Sequence, residues 1–298
     1  MERLIDPSSQ FPRKLSEHIW LLGNYYVNLF LVKGENASAL IEVGVSAVTD
    51  LVIEQLKELN VSPDHFVVTH PHADHLTGLP GFKDHYPDAG WICAEGAPEF
   101  ISHPKALPAF INDDRFMHQA LTDLGHIPIR PPIEAIKLGA PERVISENTT
   151  MDLGAVHLNY ILATGHSPGS LIVHIPEHRA VIASDSLGFH FNGRCFLPLY
   201  FTNYQSFVST LELIRSLKPA ILGLGHQSPF VGPVAEKALE LAWQATLDLY
   251  ARIRDDERDD KTLAEVLFLE NYRDEFTIYT PDNIRNCCQL LVKRSRSA

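Results

Sequence analysis

Cysteine is scarce in this sequence: 298 residues hold four, Cys93, Cys195, Cys287 and Cys288. None has C-x-x-C spacing, and four thiols are too few to staple a chain of this length. A disulfide framework is therefore excluded, and the reading is ordinary thiols in a reducing cytoplasm. The adjacent Cys287 and Cys288 are open to a redox role, but read more simply as helix residues near a core. Positive charge is also short. Lys and Arg number 25 against 37 Asp and Glu, a formal net charge of −12. An acidic surface repels phosphate backbones and no basic stripe is visible, which argues against nucleic acid as a partner. Long apolar runs are missing as well. Nothing reaches the roughly 18 residues of a membrane span, and the opening MERLIDPSSQFPRK has no apolar leader core. What remains is a small-molecule partner, no nucleic acid and no membrane, with a homodimer left open.

What is present is an ordinary folded composition, 45 % hydrophobic and 21 % charged. The length suits one large α/β domain with appendages or two small domains. Short apolar runs at His18–Leu22, Leu29–Lys33 and Ala39–Val43 are punctuated by Gly23-Asn24, Gly34 and Gly44, and read as strands. Ser46 can cap a helix whose Val48, Leu51, Val52, Leu56 and Leu59 keep a helical period. Phe66–Thr69 and Trp91–Ala94 are further strands. From about 96 to 141 the rhythm breaks into a segment rich in Pro and His, with a helix expected near Asp113–Leu124; this reads as an insertion walling a pocket. Strands resume at Val156–Ala163, Leu171–Ile175 and Arg179–Ser184, the last two a hairpin about Pro176-Glu177-His178. A helix at Tyr204–Leu217 leads to a strand at Ala220–Leu224. From Pro233 the pattern is helical, broken at Asp255–Lys261 and continued at Thr262–Leu269 and Asp282–Val292. The organisation expected is 1–232 as one domain with the insertion, and 233–298 as a helical appendage on the same unit.

The 15 histidines carry most of the information. Thr69-His70-Pro71-His72-Ala73-Asp74-His75 puts His70, His72, Asp74 and His75 just past a buried strand. A turn there can aim alternate side chains to one side, so His70 and His72 can hold one metal while Asp74 and His75 face another. Imidazole with carboxylate suits zinc, and also iron or manganese. His166 in Thr164-Gly165-His166-Ser167-Pro168-Gly169, Asp185 in Ala183-Ser184-Asp185 and His226 in Gly223-Leu224-Gly225-His226 each follow a strand. Sites in sheet proteins collect at such C-terminal strand edges.

With these residues the sequence resembles the metallo-β-lactamase superfamily, whose HxHxDH signature is matched by His70, His72, Asp74 and His75, and whose later ligands are matched by His166, Asp185 and His226. The resemblance spans roughly residues 15–232. It implies an αββα sandwich of two mixed β-sheets with outer helices, here with a helical insertion and a C-terminal helical appendage. It also implies two divalent ions per chain, zinc first, with iron or manganese as alternatives. His70, His72 and His166 would hold one ion, Asp74, His75 and His226 the other, and Asp185 would bridge; Asp74 and Asp185 are the catalytic candidates. Two cations about 3.5–4 Å apart acidify a shared water to hydroxide and polarise a carbonyl or phosphoryl oxygen, so hydrolysis follows without a serine or cysteine nucleophile. Where the family often has the aspartate of a DTG-like turn, this chain has Glu42-Val43-Gly44, and the glutamate is expected to support the ligand loop through its amides. The helical tail and this turn also resemble the glyoxalase II-like and quinolone-signal response protein-like thioesterase branch. A thioester or related ester is the first substrate class this suggests. An iron-dependent oxidoreductase such as a persulfide dioxygenase, a lactonase, a phosphodiesterase or a regulatory protein retaining its metal site are the alternatives.

Other histidines (His65, His85, His103, His118, His126, His157, His174 and His178) read as surface or core residues. His190, soon after Asp185, is the next candidate for substrate contact, and Tyr200 and Phe201 are expected near the mouth.

Overall fold

Within the run Asn28–Lys33, Leu29, Phe30, Leu31 and Val32 are apolar in succession, which a strand tolerates only when both its faces are covered. In the computed structural model, which describes residues 10–128, 130–191 and 195–297, that is its situation. Residues 1–9, most of the stretch that lacks a leader-like core, lie outside the described residues. Strands β1 (Arg13–Lys14), β2 (Ile19–Gly23), β3 (Asn28–Lys33) and β4 (Ser38–Ile41) pair antiparallel, then β5 (His65–Val67), β6 (Gly90–Ala94) and β7 (Arg143–Ile145) continue the sheet in parallel. Parallel neighbours need crossovers. These are α1 (Thr49–Glu58), α2 (Leu79–His85) and the pair α3 (Ala97–Ser102) and α4 (Ala106–Asp123).

The second sheet is built from β8 (Thr149–Asp152), β9 (His157–Leu162), β10 (Leu171–Ile175) and β11 (Ala180–Ile182). After a separate hairpin of β12 (Phe189–His190) and β13 (Phe196–Leu197) and the helix α5 (Tyr204–Leu217), it is completed by β14 (Ile221–Gly223) and β15 (Phe230–Val231). Its order is β15-β14-β11-β10-β9-β8, with β11 and β14 parallel and the other pairs antiparallel. Helices α6 (Pro233–Asp255), α7 (Asp260–Asn271) and α8 (Pro281–Arg296) follow.

Strand alternation divides the core. Phe30 and Val32 of β3 meet Tyr160, Val173 and Ile182 between the two sheets. Leu29 and Leu31 face the other way, into a larger apolar mass shared with α1, α4, α5 and the C-terminal helices. The result is the αββα sandwich of two mixed sheets anticipated from the sequence. Among the described residues, no helix is long and apolar enough to cross a membrane.

Local differences have physical causes. Ser46 does not cap α1. The residue before that helix is Val48, with no side-chain cap, and the Ser46 hydroxyl donates to Asp114 Oδ1 at 2.7 Å. The helix expected near Asp113–Leu124 starts earlier, at Ala106. Pro108 disguises that start but is harmless in a first turn, where backbone N–H groups have no intrahelical partner. Strands β7 and β8, unexpected from the sequence, are short and largely solvent-facing, so they carry little apolar pattern.

Candidate metal centre

Each of the seven candidate residues leaves the C-terminal end of a strand, and all seven converge on one edge of the sandwich. Past β5 the chain extends through Thr69 to His70, and a 3-10 turn at Ala73–His75 brings Asp74 and His75 inward. The loop after β9 carries His166, a 3-10 turn after β11 carries Asp185, and the loop after β14 carries His226. This last loop is pinned by Asn28, whose backbone N–H donates to Gly225 O at 2.8 Å and whose side-chain amide donates to Leu224 O at 2.9 Å. Position 225 must be glycine: a Cβ there would lie 2.5 Å from His75 Cε1.

Three overlapping groups of donor atoms result. His70, His72, His166 and Asp185 form the first, Asp74, His75 and His226 the second, and Glu42, His70 and His75 a third. In the first, His166 Nε2 is 3.1 Å from His72 Nδ1, and Asp185 Oδ2 is 3.7 Å from His166 Nε2 and 3.8 Å from His70 Nε2. In the second, Asp74 Oδ2 is 3.3 Å from both His75 Nε2 and His226 Nε2. Asp185 reaches this group too, 3.7 Å from His75 Nε2 and 3.6 Å from His226 Nε2. Its two oxygens thus lie between these two groups.

The far nitrogens of four of the five imidazoles are engaged. His166 Nδ1 donates to Leu199 O at 2.8 Å, and His226 Nδ1 to Tyr26 O at 2.8 Å. His75 Nδ1 lies 2.9 Å from Glu42 Oε2. Thr69 Oγ1 donates to Glu42 Oε1 at 2.7 Å and sits 3.2 Å from His70 Nδ1. One fully buried glutamate therefore steadies His75 directly and His70 through a threonine. It does so through side chains; the expected bonding to loop amides is not what the structure shows. Glu42 adopts a left-handed φ of 72° at the end of β4, which turns its carboxylate toward the loop.

The inward nitrogens of His70 and His75 are buried and make no hydrogen bond. Orphaned imidazole nitrogens are costly unless a cation completes them, and such supporting bonds are what fixes a ligating imidazole's tautomer and orientation. The donor set fits a pair of divalent ions. Electrostatics separate the groups. Burial, helped by neighbouring imidazoles, holds His70 and His166 well below the usual histidine range, and burial takes His72 to about 4. Burial also works against charge on His75, yet Asp74, Glu42 and Asp185 raise it well above that range.

Over the centre lies a cavity of about 220 Å³ with apolar walls, among them Phe110 and Met117 of α4, Phe189 of β12, Phe201 shortly before α5, and Phe276 and Leu290 from the C-terminal region. Its described lining includes no lysine or arginine. Of the expected mouth residues, Phe201 lines the cavity, whereas Tyr200 is buried and its hydroxyl meets Ser295 Oγ at 2.8 Å. The expectation for His190 is corrected. On β12 it is Phe189 that turns to the cavity, and His190 packs between Phe196 and Phe230, with ring centroids 4.9 and 5.1 Å away. Cys287 lines the cavity and Cys288 lies in the core; both are free thiols.

Two features escaped the sequence. Tyr279, just before α8, places its hydroxyl 3.0 Å from Asp74 Oδ2; no spacing links it to the ligand loop. On α4, Asp113 and Asp114 work in opposite directions. Asp113 accepts from Thr280 Oγ1 at 3.2 Å and Asn283 Nδ2 at 3.0 Å at the start of α8. Asp114, fully buried, accepts from the Ser46 N–H and from the hydroxyls of Ser46 and Thr77, the last at 2.5 Å and just beyond the ligand loop.

A family model described as the metallo-beta-lactamase superfamily matches residues 22–226. A protein of Bacillus subtilis (strain 168), YobT, is 24 % identical over 212 residues, covering 67 % of this chain and 82 % of its own. The acyl-coenzyme A thioesterase MBLAC2 of Gallus gallus is 23 % identical over 218 residues, 66 % of this chain and 72 % of its own. Among solved structures, the metallo-beta-lactamase family protein TTHA1429 from Thermus thermophilus superposes with a TM-score of 0.66 at 18 % identity, covering 96 % of both chains.

Proposed function

The chain belongs to the metallo-β-lactamase superfamily, and from that premise we propose that it hydrolyses a thioester or related ester of a small molecule. In this reading His70, His72 and His166 hold one cation, Asp74, His75 and His226 a second, and Asp185 both. Bound as a pair, such cations acidify a shared water and polarise a carbonyl oxygen.

The chain's own part is positioning. Glu42, Thr69, Leu199 O and Tyr26 O fix four imidazoles with the remaining nitrogen turned inward. The apolar walls seat an acyl group against the centre and keep bulk water from it. Asp113 clamps the start of α8, which supplies part of that wall.

The observation that carries the substrate class is the cavity itself. Apolar and free of cationic side chains along its described lining, it suits the neutral acyl part of an ester or thioester better than a sulfate or phosphodiester. The thioesterase activity in MBLAC2's name supports the same class. The test is a panel of acyl-thioesters and oxygen esters given to protein carrying two metal ions per chain. Turnover that needs the metal and favours compact apolar acyl groups is expected. A fully metallated protein inert across the panel overturns the proposal.

A further inference from the structure

Tyr279 reaches the centre from the C-terminal region, following the 3-10 turn Asp274–Ile278. Its phenol oxygen lies 3.0 Å from Asp74 Oδ2 and 3.2 Å from His226 Nε2. Those two atoms are 3.3 Å apart, and Asp74 Oδ2 is also 3.3 Å from His75 Nε2. Donor atoms about 2.0–2.2 Å from one cation stand roughly 2.8–3.6 Å from one another in octahedral to tetrahedral arrangements. All four separations fall in that interval. A hydrogen bond alone accounts for less. The phenol has a single proton, which serves Asp74. The His226 Nδ1 proton is given to Tyr26 O, so Nε2 presents its lone pair toward the same point that the phenol oxygen faces.

We propose that the phenol oxygen of Tyr279 is a ligand of the second cation, an inference that rests on the dinuclear reading above. The phenol proton leaves to solvent as the cation binds. The two positions then differ in chemistry. The first offers the nitrogens of His70, His72 and His166 with one Asp185 oxygen. The second offers the nitrogens of His75 and His226 with oxygens from Asp74, Asp185 and Tyr279. A position rich in anionic oxygen favours a harder cation, ferric iron or manganese, while the nitrogen-rich one suits zinc. Tyr279 also lines the cavity, so a substrate atom approaching the second cation meets the phenol oxygen.

The full chain is loaded with iron, oxidised with ferricyanide, and its metal counted by elemental analysis. Two irons per chain with a visible tyrosinate-to-ferric charge-transfer band, and phenolate ring modes in resonance Raman, are expected. In Tyr279→Phe the band is lost, affinity at the second position falls by about 10–100-fold or more, and the first position stays filled. Should the phenylalanine variant fail to fold, 3-fluorotyrosine incorporated at position 279 alone must shift the band. Two irons per chain without the band, or a band that neither replacement alters, overturns the ligand assignment and leaves the dinuclear reading standing. A chain that takes up no metal overturns both.

Discussion

The two groups of donor atoms that would each hold a cation share Asp185 but are supported from different parts of the molecule. Around the first, His70 leans on Thr69 and His166 on the Leu199 carbonyl, both within the sandwich. Around the second, Glu42 holds His75, Tyr26 O holds His226, and Tyr279 reaches in from the C-terminal helices to Asp74. The first group is kept uncharged by burial, whereas carboxylates favour charge in the second. The C-terminal helices are thus a neighbour of one position and part of the surroundings of the other.

That contrast can be broken most severely at the shared residue. Asp185→Asn removes the charge between the groups, and metal affinity is expected to fall by about 100-fold or more at both, beyond the about 10–100-fold typical of a supporting residue. Isothermal titration together with metal counting checks this; an unchanged count with wild-type turnover contradicts it. His72→Ala sharpens the comparison from one side. The first position empties while the second keeps its ion, so metal content drops toward one per chain, and equal retention of both ions would refute the partition. Glu42→Ala tests the other side, where loss of the His75 partner should weaken the second position by about 10-fold or more. The first should weaken less, because Glu42 reaches His70 only through Thr69.

Stability separates scaffold from centre. Asp114→Ala strands the hydroxyls of Ser46 and Thr77, while the Ser46 N–H keeps Thr77 Oγ1 at 3.2 Å, and should cost about 2 kcal/mol in denaturant unfolding at about 1–3 kcal/mol for each unpaired buried group; a loss below about 1 kcal/mol would show the network to be dispensable. The smallest effect at neutral pH is expected from His190, which lies outside both positions. Burial lowers its ring to about 4. Between its ordinary value near 6.5 and that value, the unfolded chain binds the proton and the folded chain does not, so stability declines as pH falls through this window. His190→Phe should remove about 3 kcal/mol of that acid-side decline while leaving metal content unchanged. Parallel pH–stability curves for the two proteins would contradict the assignment.

That these seven candidates would gather at one edge was legible because their chemistry admits few residue types and each follows a strand, so apolar run and polar terminus can be read together. The sandwich was legible for the same reason, down to the continuous apolar run of β3. What local pattern could not supply were partners set by tertiary contact. Ser46 looks like any helix cap until Asp114 claims its hydroxyl. His190 is close to Asp185 in sequence, but the alternation of a two-residue strand sends Phe189 to the cavity instead. Tyr279 belongs to a connection between helices, and nothing in its neighbours announces a carboxylate 205 positions away.

The adjacency of Asp113 and Asp114 constrains how this protein could be redesigned. One steadies a wall of the cavity and the other the footing of the ligand loop, on consecutive residues of a single rigid helix. Carving a roomier pocket by shifting α4 would tug on the metal-binding edge, whereas trimming side chains on α8 such as Leu290 would leave that edge alone. A redesign of the cavity therefore starts best on the last helix.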